Sequence, residues 1–320
     1  MRPYAAPHNA PNPRSRHAQS AGLARRVPRR KDALAGSGGA PYIGTMQNPL
    51  SIFRKRARIN VLRLEGVIGS AGRLGGQSLT DASLAPMVEA AFRRGNPVAV
   101  ALIVNSPGGS PAQSSLIAAR IRRLADETGI PVHAFVEDVA ASGGYWLATA
   151  ADSIHVDPNS IVGSIGVISA SFGFQDFLAR HGVERRVHTA GEDKSLLDPF
   201  RPERPEDVER LKRLQAVIHD NFIEQVRARR GERLKDDDGL FTGDIWVGRA
   251  GVDVGLVDGV GHLVPVLRDQ FGSRVRFVVL ARRRPLFRRL GVPGIGAGVV
   301  EALDAVDART LWTRYGLAAR

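Results

Sequence analysis

Two short glycine-bearing turns carry the residue types needed for chemistry at a carbonyl: "SPGGS", Ser106–Ser110, and "ASGGY", Ala141–Tyr145. A glycine pair lets the backbone turn sharply and leaves its N–H groups uncovered. At the start of a helix such N–H groups form a pocket for negative charge. That charge could be a phosphate or the oxyanion of a tetrahedral intermediate. The first turn lacks the lysine of a P-loop and the spacing of a dinucleotide fingerprint, which argues against phosphate. Turn glycines with a purely structural role explain either turn alone. Two such turns after successive strands, one of them bearing Ser142, favour an acyl-transfer site.

A serine nucleophile needs a base. The histidines of the ordered-looking region are His133, His155, His181, His188, His219 and His262, and none sits in a pattern with an aspartate that points to a triad. The other candidate is Lys194, in "HTAGEDKSLLDPFRP", after a glycine-bearing turn. A loop lysine is ordinarily solvated, and spacing alone does not change that reading.

The elements that must position these residues alternate between strand and helix. "INVLRLEGVIG" has strand-like alternation, and "LTDASLAPMVEAAFRRG" reads as a helix closed by Gly95. "PVAVALIV" is a continuous apolar run, as in a buried parallel strand. The helix after "NSPGGS" presents Ile117, Ile121, Leu124 and Ala125 on one face and closes at Gly129. "PVHAFVE", "SIHVDP" and "GSIGVIS" follow as strands, "FQDFLARHG" as a helix and "VERRVHTAG" as a strand. Pro205 opens the longest helix, with Val208, Leu211, Ile218, Phe222 and Val226 on its apolar face and Gly231 at its end. Two short helices and the strand "VRFVVL" complete an α/β pattern with a largely parallel sheet.

The chain of 320 residues contains no cysteine, which rules out disulfides and thiolate metal sites. Its net charge of +13 sits on its ends. Residues 1–45 hold eight Lys/Arg and one Asp, and residues 281–320 hold eight Arg against Glu301, Asp304 and Asp307. The middle is close to neutral, so a nucleic-acid role is disfavoured, and basic ends of this kind are ordinarily solvated. No window of ~18 residues is apolar and uncharged enough to cross a membrane, and no secretory leader is apparent. Residues 1–50 read as a disordered Pro/Arg-rich segment, 51–280 as the catalytic domain and 281–320 as a basic, partly helical tail. Met46 is a second candidate start.

"NSPGGS", "ASGGYW", "VGSIGVI" and "AGEDKSLLDPFRP", in this order, resemble the signature of the signal peptide peptidase A family, serine peptidase family S49. The resemblance runs from about Ile59 to Leu280. It implies the crotonase/ClpP-like fold, with repeated strand–strand–helix units and largely parallel sheets. It implies Ser142 as nucleophile, Lys194 as general base and Ser164 as the hydroxyl that orients the lysine. Backbone N–H groups of Gly109 and Gly108 would form the oxyanion hole, with Gly143, Ser106 and Pro107 against the substrate. It further implies apolar peptide substrates such as signal-peptide remnants, and ring-like homo-oligomers. No metal or organic cofactor is called for. A cytoplasmic enzyme, with peripheral membrane contact through its basic ends, is the accompanying expectation.

The implied chemistry has a physical requirement. A free lysine amine titrates near ~10.4, so a lysine that accepts a proton needs an apolar enclosure to hold it neutral. Glu192 and Asp193 beside it must then point outward. Two alternatives remain: a crotonase-like acyl-CoA enzyme, which shares paired oxyanion N–H groups and commonly uses a glutamate, and an inactive scaffold of the family.

Overall fold

A computed structural model describes residues 56–69, 79–191 and 194–280. The expectations for residues 1–50 and 281–320 lie outside the described residues. The central strands are β1 (Arg58–Glu65), β2 (Ala99–Ser106) and β3 (Val132–Ala141). They pair in parallel, because a helix crosses over between each pair. Those helices are α1 (Asp81–Arg93) and α2 (Pro111–Thr128). Thr80 caps α1 by accepting from the Ser83 N–H, and Ser110 caps α2 through the Gln113 N–H. Gly129, at φ 66°, ends α2.

After β3 come the short helix α3 (Gly143–Ala148) and the strands β4 (Ser153–Val156) and β5 (Ile161–Gly163). Then follow helices α4 (Gln175–Arg180) and α5 (Pro205–Arg230), strand β6 (Ile245–Val247), helix α6 (Arg249–Asp253), strand β7 (Gly259–Val260), helix α7 (Leu263–Phe271) and strand β8 (Arg276–Leu280). The sheet runs β6-β5-β3-β2-β1-β8, with β4 beside β3 and β7 beside β4. Every pairing is parallel except β5 with β6. The expected α/β architecture, a largely parallel sheet flanked by helices, is what the chain adopts.

Both faces of the central strands carry buried residues, which suits the continuous apolar run of β2. Leu62, Leu64, Val100, Leu102, Val104 and Ala134 pack with α1, α2 and α3. Ile59, Val61, Ala99, Ala101 and Phe135 pack on the other face with Leu267 of α7. Asn60 is the polar intruder in β1. Its buried amide donates to the Ala91 and Arg94 carbonyls at the end of α1, 2.8 and 2.9 Å away.

Three expectations are corrected. The strand in "GSIGVIS" stops at Gly163, because Gly163 (φ 102°) and Ser164 (φ 52°) turn the chain out of extended geometry. "VERRVHTAG" forms no strand; its alternating residues are mostly exposed and have no neighbouring strand to pair with. In α5 the apolar face is buried only in the second half, at Phe222 and Val226, whereas Val208, Leu211 and Ile218 are partly covered.

The second half of α5 is locked down by charge. Arg230, 2% exposed, grips Asp258 with two bonds of 2.9 and 3.0 Å and donates to the Gly255 carbonyl. Burial opposes the charge of Asp258, yet Arg230, the Ile154 N–H and Arg233 together hold its carboxyl below the ordinary range. Removing one partner leaves a buried charge unmatched. Arg230→Ala is therefore expected to lower unfolding free energy by about 3 kcal/mol, read from urea midpoints. The depressed carboxyl contributes fully above the unfolded value near ~3.9 and loses that contribution as pH falls through its folded value. Asp258→Asn should accordingly flatten the acid limb of stability below about pH 4.

Candidate active site

The two turns meet because of a register shift. Val104 of β2 lies opposite Val136 of β3, but Ser106 lies opposite Ala140. One residue, Asn105, therefore faces three, Glu137, Asp138 and Val139. Continuing that register brings Gly108 level with Ser142. The approach is close: a Cβ on Gly108 would sit 2.9 Å from both the Ala141 carbonyl oxygen and Ser142 Cβ. Gly109 (φ 141°) is pressed against Ile68, whose carbonyl oxygen a Cβ would meet at 2.0 Å. The contact is held by the Ile68 N–H donating to the Gly108 carbonyl at 2.8 Å and the Ser110 N–H to the Ile68 carbonyl at 2.7 Å.

Ser142 itself is at φ 52°, ψ −125°, a conformation that costs a non-glycine residue of order 1–3 kcal/mol. Its N–H donates to the Gly163 carbonyl at 2.8 Å, and its carbonyl accepts from Tyr145 and Trp146 in α3. The turn is thereby fixed from both sides and the side chain is aimed outward. Below it, burial pushes the Tyr145 phenol up, so it stays protonated and donates to the Leu256 carbonyl at 2.6 Å. Gly143 begins α3, so its N–H belongs to the first turn, which has no intrahelical acceptor. A Cβ at Gly143 would lie 3.5 Å from the Gly109 nitrogen, so the two glycines are close neighbours across the turns.

Ser142 opens onto a cavity of about 380 Å³ lined by Pro107, Gly109 and Pro111 on one side, Ser164 to Ile168 in part, and Thr242 with Gly243. Ser164, 6% exposed and also at positive φ, donates its N–H to the Asp244 carbonyl at 2.6 Å. The next carbonyl, of Ile165, bonds His219 Nε2 of α5 at 3.0 Å. The structure thus brings together Ser142, Ser164, Pro107, Gly108, Gly109 and Gly143. It places two expected site residues elsewhere. Ser106 is fully buried, with its hydroxyl donating to the Gly66 carbonyl at 2.6 Å and accepting from the Gly108 N–H; it shapes the turn and does not face the cavity.

Lys194 is the second. It is exposed and is not among the residues lining the Ser142 cavity, so the described residues do not form the apolar enclosure its role requires. Glu192 and Asp193 lie outside the described residues. The loop that carries Lys194 is nevertheless well tied. Asp198 is held by Arg185, with Arg201 nearby, and accepts from the Phe200 N–H; the Arg185 guanidinium keeps its carboxyl below the usual range. Asp207 takes two bonds from Arg204, at 2.9 and 2.6 Å, which lower its carboxyl likewise.

Among the described residues no histidine lines the Ser142 cavity in place of the lysine. His262 does bond Asp157, at 2.8 Å, but the pair is on the surface and lines no part of the cavity. His133 and His155 are enclosed in the far face of the sheet, where burial lowers both. Among the described residues no cluster of metal-ligating side chains occurs. Sequence reasoning did not single out Thr242, Gly243, Val167 or Ile168 as cavity residues. Their contribution depends on β6 folding back antiparallel to β5, and no local pattern reports that pairing.

A model of the family described as "Peptidase family S49" matches residues 125–269. The chain is 47% identical over 272 residues to a Brucella melitensis protein called "Na(+)/H(+) antiporter NhaA", covering 81% of this chain and 37% of that one. It is 28% identical over 281 residues to "Serine protease SPPA, chloroplastic" of Arabidopsis thaliana, covering 84% and 40%. A solved structure of the 1510-N membrane-bound stomatin-specific protease aligns with a TM-score of 0.44 at 16% identity, over 72% of this chain and all of that one. The chain thus spans well under two thirds of the length of its curated relatives. The antiporter name is that of a protein of which this chain covers 37%, and no described helix here is long and apolar enough to cross a membrane.

The contact between the turns gives a direct prediction. Gly108→Ala would press a methyl group onto Ser142 Cβ and require a strained φ of 104°. Reaction of Ser142 with a serine-directed covalent probe, followed by intact mass, should slow at least about ten-fold, while far-UV circular dichroism stays that of the wild type.

Proposed function

The chain belongs to peptidase family S49, and from that membership we propose that it is a serine endopeptidase with Ser142 as nucleophile and Lys194 as general base. The observation that carries the reading is the convergence of Ser142, Gly109 and Ser164 on one cavity. In the proposed reaction the Lys194 amine takes the Ser142 proton as Oγ attacks the peptide carbonyl. The N–H groups of Gly109 and its neighbours receive the oxyanion, and the ammonium returns the proton to the leaving amine. Water then hydrolyses the acyl-enzyme by the same route. Ser164 is the hydroxyl that directs the amine.

The apolar cavity walls at Pro107, Pro111, Val167 and Ile168 favour small or apolar side chains beside the scissile bond, as in remnants of signal peptides. A homo-oligomer would supply the missing enclosure of Lys194. Supporting this, the segment between Ser164 and Lys194 exposes Ile168, Phe172 (79%) and Phe177, with Phe174 and Phe200 beside them. Such an apolar patch marks an interaction surface. We place the enzyme in the cytoplasm, with its basic ends against the membrane. A crotonase-like acyl-CoA activity is the weaker reading, because no carboxylate is found among the described lining residues.

Ser142→Ala should lower hydrolysis of an apolar peptide by about a thousand-fold or more with the fold intact; retained thioester turnover would instead favour the acyl-CoA reading. Lys194→Ala and Lys194→Arg should each lower that hydrolysis at least about a hundred-fold, since neither a methyl group nor a permanently charged guanidinium can take the Ser142 proton. Phe172→Asp should lower both the mass measured by light scattering and the activity.

A further inference from the structure

We propose that Asn105 is a positioning residue, which sets the oxyanion turn level with Ser142 by filling the register shift between β2 and β3. It rests on the peptidase reading for its catalytic consequence but not for its geometry. Parallel strands in plain register would put Ser106 opposite Asp138 and Gly108 opposite Ala140, too early for the nucleophile. The observed pairing of Ser106 with Ala140 requires β3 to loop out two additional residues at Glu137–Val139. Looped-out backbone inside a sheet loses its ladder partners, and a buried N–H without an acceptor is costly.

Asn105 supplies those partners. Its side-chain oxygen accepts from the Val139 N–H at 3.2 Å, and its amide nitrogen donates to Asp138 Oδ2 at 2.8 Å. Its own carbonyl accepts from the Gly66 N–H at 3.0 Å, which ties the joint to the end of β1. Asn105 is 5% exposed and is flanked in the chain by the fully buried Ser106. Only a side chain with an acceptor and a donor on one short planar group satisfies both partners at once. Leucine matches the shape and satisfies neither. Aspartate accepts from Val139 but sets one carboxylate against another. Exchanging the two residues, so that position 105 accepts and position 138 donates, restores both bonds.

The full chain carrying Asn105→Leu, Asn105→Asp, or Asn105→Asp together with Asp138→Asn tests this by two measurements. The first is hydrogen exchange, by mass spectrometry, of peptides spanning 136–143. The second is kcat and KM on an apolar peptide. Each single substitution should speed exchange of that segment at least five-fold and lower kcat at least ten-fold, with KM within about two-fold. The exchanged pair should return both to within about three-fold of wild type. Unchanged exchange in both single variants, or an exchanged pair no better than Asn105→Asp alone, overturns the inference. Should Asn105→Leu fail to fold, Asn105→Asp and the exchanged pair decide. An inactive wild type would refute the peptidase reading, and exchange alone would then decide the role of Asn105.

Discussion

Two backbone turns lie closer together than any β-carbon between them would allow, and the placing of Ser142 depends on that contact. Gly108 touches the Ala141–Ser142 peptide, Gly109 touches Ile68, and Gly144 lies so close to Ser106 that a Cβ would fall 2.3 Å from its carbonyl oxygen. These are steric facts about backbone, largely indifferent to which apolar residues fill the core. The core's task is to hold β2 and β3 firmly enough that the contact persists. Covering both faces of the central strands achieves this, since neither strand can slide without exposing a buried row.

Helix α5 distributes that rigidity across the site. Near its start, Asp207 ties the loop that follows Lys194. Just past its midpoint, His219 reaches the carbonyl of Ile165, beside Ser164. Phe222 stacks on Trp146 of α3 at 4.9 Å, and Gln225 and Arg229 bond Thr149 at the end of that helix. A single rod therefore touches the loop after Lys194, the Ser164 turn and the helix that begins after Ser142. Charge pairs within its last turns secure it to the region around Asp258.

Local chemistry made much of this legible in advance. Pro205 and Gly231 bracketed α5, Gly129 closed α2, and the apolar run before "NSPGGS" gave a strand buried on both faces. The glycine pairs marked the turns because only glycine tolerates such contacts. What sequence did not convey was non-local. The pairing of β5 with β6 that brings Thr242 into the cavity joins residues about eighty apart, and the early halt of β5 depends on positive φ at a serine. The resemblance sets Ser106 against the substrate, whereas its hydroxyl is consumed inside the turn. Lys194 illustrates the opposite limit: its motif is clear, while the described residues leave its side chain exposed.

The positive φ shared by Ser142 and Ser164 has a wider meaning. Glycine would sit more comfortably at either position, so a sequence chosen for durability alone would not keep hydroxymethyl groups there. On the proposed reading, their presence at both points records a trade in which ease of folding was given up for reactivity, and drift towards stability would erase the hydroxyls first.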